Sequence, residues 1–167
     1  PYYLAWLNEV RDRAVPMLTI DKPRTLEIGN DARIEFIYPD RSFYGQSAEN
    51  LNNTSIALKL IYGETAFFLG GDIEKEVERE ILAKGIDLQC GVMKANHHGS
   101  DSSNTEEFIK AVGPQYCVIS VGKNNSFGLP SRRVENRFLR ENCRILRTDQ
   151  LGTIKFSTDG KKLKFYE

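Results

Sequence analysis

Apolar positions recur along the chain in two periods, and the switch between them orders the predicted elements. Residues 2–15 place Tyr3, Leu7, Val10 and Ala14 on one helical face, and Pro16 ends the run. Residues 25–38 read as two short strands around Gly29-Asn30-Asp31, the second alternating through Ile34, Phe36 and Tyr38. A polar loop over 40–53 leads into strands at 55–62 and 65–69, a hairpin turning at Gly63-Glu64. The run Ala66-Phe67-Phe68-Leu69 is continuously apolar, the pattern of a strand buried on both faces.

The order then becomes regular. Ile73, Val77 and Ile81 predict a helix over 73–84 that stops at Gly85. A short strand at 91–95 follows. A helix over 104–112 opens at Asn104 with Glu107 three residues on, a capping-box arrangement, and closes at Gly113-Pro114. A strand at 116–121, a helix at 131–142 and a strand at 144–147 precede a hairpin over 153–165 that turns at Asp159-Gly160. Strands alternating with helices, closed by a hairpin, predict an α+β fold with a sheet packed by helices.

Composition narrows the picture. At 167 residues the chain has the size of one domain or part of one, and nine Phe with seven Tyr suffice for a core. Acidic and basic residues balance at 23 each, so bulk charge favours neither nucleic acid nor an anionic membrane as partner. No apolar run is long enough to span a bilayer, and no signal-like segment is present. Cys90, Cys117 and Cys143 are widely spaced beside apolar runs and read as small buried hydrophobes. Arg132, Arg133, Arg137 and Arg140 give one helix a basic look, but Glu135 and Glu141 interrupt it, as on a solvated face. Trp6 and Tyr2 on the opening helix read as packing residues.

Candidate chemistry collects in three loops that follow strand ends, where α/β sheets tend to bind ligands. Gly70-Gly71-Asp72 turns out of an apolar strand and sets Asp72 at the start of the next helix, where aspartate also caps without any metal. Asn96-His97-His98-Gly99-Ser100 holds both histidines of the chain, directly after a strand. Neutral imidazole is the commonest metal ligand. The third loop, 122–130, is rich in amides through Asn124 and Asn125. Lys94, just inside the strand before the histidines, reads either as a contact for an anionic substrate or as an edge residue.

Asn52-Asn53-Thr54-Ser55 before a hairpin, Gly71-Asp72, and His97-His98-Gly99-Ser100 together resemble the metallo-β-lactamase domain of ComEC-type competence proteins and their soluble hydrolase relatives. Val118-Ile119-Ser120-Val121-Gly122, an Asn-containing loop ending in Gly-x-Pro, and Arg147-Thr148-Asp149 before Gly152-Thr153-Ile154 continue the resemblance, which runs from about Ile34 to Phe156. It implies a metallo-β-lactamase αββα sandwich, with residues 1–167 as a single partial domain, mainly its C-terminal half. It also implies a rim that holds two metal ions, commonly zinc and sometimes manganese. Asp72 then matches the bridging aspartate and His98 the late histidine ligand, with His97 as second choice; both Asp72 and His98 would be catalytic. Ser100, Asn124, Asn125 and Lys94 would line the substrate rim. Metals in such sites activate water against phosphorus or carbonyl centres.

Two departures shape the expectation. The family's H-x-H-x-D-H motif lies upstream of everything present, so the two histidines here are too few for a binuclear site, and zinc would be incomplete or absent in this fragment. The family's Tyr-Gly-His-Pro element reads Phe127-Gly128-Leu129-Pro130, and Leu129 neither binds metal nor relays a proton. The functional expectation is a metal-dependent hydrolase of phosphodiesters or related esters, nucleic acid included, in the parent protein. The alternatives are a non-catalytic binding domain of the same fold, or a structural domain of a DNA-uptake protein. In the sandwich, strands over 56–62 and 66–69 would expect a partner sheet. Leaving such a face wet forfeits about 25 cal/mol per Å² of apolar area, which predicts self-association of the fragment unless helix 2–15 covers it.

Overall fold

Consecutive hairpins build one half of the sheet and helical crossovers the other. In the computed structural model, which describes residues 2–166, strands β1 (Arg24–Ile28), β2 (Ala32–Tyr38), β3 (Ala57–Tyr62) and β4 (Thr65–Leu69) pair antiparallel. From β4 onward β5 (Val92–Lys94), β6 (Tyr116–Ile119) and β7 (Arg144–Arg147) add in parallel, giving one seven-stranded sheet in sequence order. Helices α2 (Lys75–Ala83), α3 (Glu106–Val112) and α4 (Arg132–Arg140) make the three crossovers. Crossovers share one hand, so successive strands added in one direction put all three helices on the same face. The mixed α+β architecture expected from the pattern is present.

That face holds the core. Phe68, Met93, Cys117 and Ile119 point from the strands into Ile73, Val77, Ile81, Phe108, Ile109, Val134 and Phe138 of the helical layer, all fully or nearly fully buried. Phe68 and Phe108 meet edge to face with centroids 5.3 Å apart. All three cysteines are buried and free, and burial pushes the Cys90 and Cys143 thiols up to about 12, where they stay protonated and inert.

The opposite face is only partly covered. Registers Leu26↔Ile34, Ile34↔Leu60, Leu60↔Phe67, Phe67↔Val92 and Val92↔Tyr116 align one apolar row across it. The hairpin β8 (Lys155–Thr158) and β9 (Leu163–Tyr166) lies over one end of this row. Phe156 packs on Phe67 and Tyr116 with centroids 6.3 and 5.4 Å apart, and Thr158 Oγ1 lies 3.0 Å from Thr65 Oγ1. Leu26, Ile28, Tyr62 and Leu69 on this face remain exposed. The expectation that 66–69 is buried on both faces is therefore corrected: Phe68 is enclosed, whereas Leu69 remains 38% exposed on the other side.

Three further expectations change. Helix α1 (Tyr2–Asp12) forms, but none of its residues is buried, so it is no cover for the open face. Tyr2 is exposed, and Trp6 stacks only loosely on Tyr3, centroids 6.0 Å apart, instead of entering a core. The capping box at Asn104 does not form, because Thr105 is the N-cap of α3 and makes no side-chain cap bond. Asn104 is buried with φ of 60° and spends its amide on Asn96. Among the described residues no helix is long and apolar enough to cross a membrane.

Candidate functional site

Strands β4, β5 and β6 are parallel, so the loops after Leu69, Lys94 and Ile119 open at the same edge of the sheet. The chain leaves β4 through Gly70, which lies against Asn96. A Cβ at position 70 would sit 2.2 Å from Asn96 Oδ1, so only glycine permits the approach. Asp72 follows but is not a helix cap: α2 starts at Lys75 with Glu74 as N-cap, which overturns the capping alternative. The Asn52-Asn53-Thr54-Ser55 string holds this loop from the other side. Ser55 Oγ accepts from the Asp72 amide at 3.2 Å, Asn53 Oδ1 accepts from the Glu74 amide at 2.9 Å, and Asn52 Nδ2 donates to Glu74 Oε1 at 3.0 Å.

The histidines follow β5 in an unusual backbone. His97 and His98 have φ of 47° and 54°, two successive non-glycine residues in the left-handed region. Each such residue costs on the order of 1–3 kcal/mol and persists only where its surroundings impose it, a pattern concentrated at functional sites. Here the surroundings are a buried polar network. Glu78 of α2, fully buried, accepts at Oε1 from Asn96 Nδ2 (2.8 Å) and the Asn104 amide (2.6 Å). Its Oε2 accepts from the Thr105 amide and hydroxyl, both at 2.8 Å. Asn104 in turn clamps the Asn96 backbone through both ends of its amide, at 2.8 and 2.9 Å. Sequence reasoning missed Glu78, Asn96 and Asn104, since polar residues on a surface-like helix and in a polar loop give no local sign of burial.

The two rings diverge. His98 Nδ1 lies 2.6 Å from the carbonyl oxygen of Ser120, and because that oxygen can only accept, Nδ1 carries the proton. Nε2 then faces Asp72 Oδ1 at 3.6 Å, with both side chains about two-fifths exposed. That separation is too long for a hydrogen bond. Tetrahedral zinc with donors at about 2.0–2.1 Å spaces them roughly 3.3 Å apart, so the pair fits as two ligands of one ion. The second nitrogen held by a backbone carbonyl is how metal-binding imidazoles are usually oriented. His97 turns to Glu74, Nδ1 to Oε1 at 3.3 Å, with Ser102 Oγ 3.4 Å from the same nitrogen. Burial pushes the Glu74 carboxyl up, but hydrogen bonds from Asn52, Ser102 and Asn50, with His97 nearby, bring it below its ordinary value. Among the described residues, no three or more His, Cys, Asp or Glu side chains converge on one metal position.

The remaining candidates lie around this pair. Lys94 Nζ donates to the Ala95 carbonyl at 3.1 Å; burial pulls its pKa down against the opposing pull of Asp72. Ser100 Oγ meets Ser102 Oγ at 3.0 Å. Asn125 spends its amide inside its own loop, donating to Leu129 O (2.7 Å) and Gly122 O (3.2 Å) and accepting from the Leu129 amide (3.1 Å). Asn124 is exposed with φ of 57°. A cleft of about 320 Å³ opens directly beside His98, lined by Ser120, Val121, Gly122, Asn125, Phe127 and Leu129. A larger one of about 510 Å³ lies by β1–β3, remote from both histidines, with Arg24, Arg33 and Lys59 offset by Glu35 and Asp87. Three of the four arginines of α4 are paired, Arg133 and Arg137 on Asp101 and Arg140 on Glu106.

No protein-family model matches the chain. Relatives are found among competence proteins. ComE operon protein 3 of Bacillus subtilis is 33% identical over 150 residues, 90% of this chain and 19% of that protein. Competence protein ComA of Neisseria gonorrhoeae is 34% identical over 106 residues, 63% of this chain and 15% of that protein. Recombination protein 2 of Haemophilus influenzae is 28% identical over 104 residues, 62% of this chain and 13% of that protein. The chain thus spans less than a fifth of the length of each of these three relatives.

Proposed function

Starting from homologues that support a ComEC-type competence-protein family, we propose that this chain is part of a metallo-β-lactamase-type hydrolase domain acting on phosphodiesters during DNA uptake. The observation that carries the reading is the Asp72 Oδ1 and His98 Nε2 pair, 3.6 Å apart, with the other His98 nitrogen held on Ser120 O. In the αββα reading of the fold, these residues would hold one edge of a zinc or manganese centre whose other ligands lie outside this chain. A bound metal supplies Lewis acidity and an activated water at such a site. The chain's own residues orient it: Ser120 fixes the His98 tautomer, Ser55 holds the Asp72 backbone, and Glu78 with Asn96 and Asn104 imposes the strained turn that aims the ring.

The test is hydrolysis of bis(p-nitrophenyl) phosphate by the full-length parent protein with added zinc or manganese. Loss of a residue that merely orients a ligand already costs about 10–100-fold, so Asp72→Asn or His98→Gln should lower kcat by at least about 100-fold. Unchanged turnover in both variants overturns the assignment. A second reading, a binding domain of the same fold without turnover, draws on Leu129, which walls the cleft beside His98 with a side chain that can transfer no proton. It predicts metal binding without hydrolysis in the same assay.

A further inference from the structure

The cleft beside His98 has a chemistry that neither reading above assigns. Its walls are the His98 ring, Val121, Phe127 and Leu129, and its mouth adjoins the Asp72–His98 pair. Phe127 is 83% exposed, an unusual state for a phenyl ring that has an apolar cleft next to it. Several of the polar groups that line the cleft are occupied. Ser120 O takes the His98 Nδ1 proton, Gly122 O takes one from Asn125, and the Asn125 amide closes on Leu129 at both its ends. The cleft therefore offers flat apolar contact and little with which to read hydrogen-bonding edges. Its volume, about 320 Å³, lies at the low end of small-molecule sites, about 300–1,000 Å³.

We propose that this cleft is a base-stacking subsite that receives one nucleobase of a single strand, with Phe127 as the stacking platform and Leu129 as the back wall. The inference rests on the phosphodiester reading of the Asp72–His98 pair. A base seated here leaves its own phosphate near that pair, because His98 belongs to both. Duplex DNA keeps its bases inside the stack and would have to extrude one, at a cost of a few kcal/mol, so a single strand is favoured. Stacking is tolerant of base identity, and the occupied polar groups reinforce that tolerance.

The experiment is fluorescence anisotropy on the full-length parent protein with EDTA present to prevent cleavage. The probes are a fluorescein-labelled oligo(dT) strand, an abasic deoxyribose-phosphate strand of equal length, and the matching duplex. Stacking on one aromatic side chain corresponds to roughly 5- to 150-fold in affinity. The unmodified protein should prefer oligo(dT) over both other probes, Phe127→Ala should lose that preference, and Phe127→Tyr should keep it. Equal binding of the abasic strand, preference for the duplex, or full oligo(dT) affinity in Phe127→Ala each overturns the proposal. So does a Phe127→Ala protein that binds normally but melts earlier, which marks the ring as a contact within the parent protein. Phosphodiester turnover that depends on Asp72 while Phe127→Ala binds normally removes the subsite and leaves the functional reading intact. Loss of that dependence with the base preference retained removes the functional reading instead.

Discussion

The two faces of the seven-stranded sheet are covered unequally: over β4–β6 the helical face is enclosed, whereas the opposite face is only partly covered. On the helical face Phe68, Met93, Cys117 and Ile119 lose essentially all contact with water, and three crossover helices supply the cover from within the chain. On the other face Phe156 of the β8–β9 hairpin packs on Phe67 and Tyr116, while Leu26, Ile28, Tyr62 and Leu69 remain exposed. The helical face explains how the loops at the sheet edge are held. The open face leaves apolar side chains in water, and a contiguous apolar surface is the kind that normally marks an interface. The candidate site lies on the shared edge of the two.

The contrast can be broken or sharpened by substitution. The largest effect belongs to the helical core: Phe138→Ala removes a fully buried ring and should cost about 3–5 kcal/mol, read from urea unfolding of the chain. A cost near zero would mean that the helical face is not the stabilising one. Next comes Glu78→Gln. Both carboxylate oxygens only accept, two donors each, so an amide must point its NH₂ at two N–H or O–H groups. A buried donor left without an acceptor costs about 1–3 kcal/mol, and His98 should lose its fixed orientation, seen as a shift of its imidazole signals in NMR. Unaltered signals would detach the network from the histidine turn. The smallest effect on stability belongs to the open face. Leu26→Ser with Ile28→Ser should each change unfolding by no more than about 0.5 kcal/mol, yet reduce self-association in light scattering. A chain that is already monomeric at high concentration, or association unchanged by the pair, would show that the open face attracts no second copy.

Much of this fold was legible because it rests on local periodicity. Ile73, Val77 and Ile81 at four-residue spacing gave α2, and Asp159-Gly160 marked the β8–β9 turn. Gly29-Asn30-Asp31 marked the turn between β1 and β2, and Gly63-Glu64 the β3–β4 hairpin. The three candidate loops were also legible, since each follows an apolar strand, and the structure places Asp72 and His98 together. What failed depended on distant partners. Asn104 looked like a helix cap because Glu107 stands three residues on, but a tertiary bond to the Asn96 backbone outcompetes the local one. Asp72 had the right neighbours for a cap, and the chain turned two residues further before α2 began. Helix α1 carries an apolar stripe, and nothing among the described residues buries it.

The central claim is that Asp72 and His98, and not His97, hold metal in the parent protein. Metal content of the full-length protein after exhaustive dialysis tests it, comparing Asp72→Ala, His98→Ala and His97→Ala with the unmodified protein. His98 faces Asp72 at 3.6 Å, whereas His97 pairs with Glu74 at 3.3 Å. The account predicts that metal is lost in the first two variants and kept in the third. Metal retained in Asp72→Ala and His98→Ala, or lost only in His97→Ala, would contradict it.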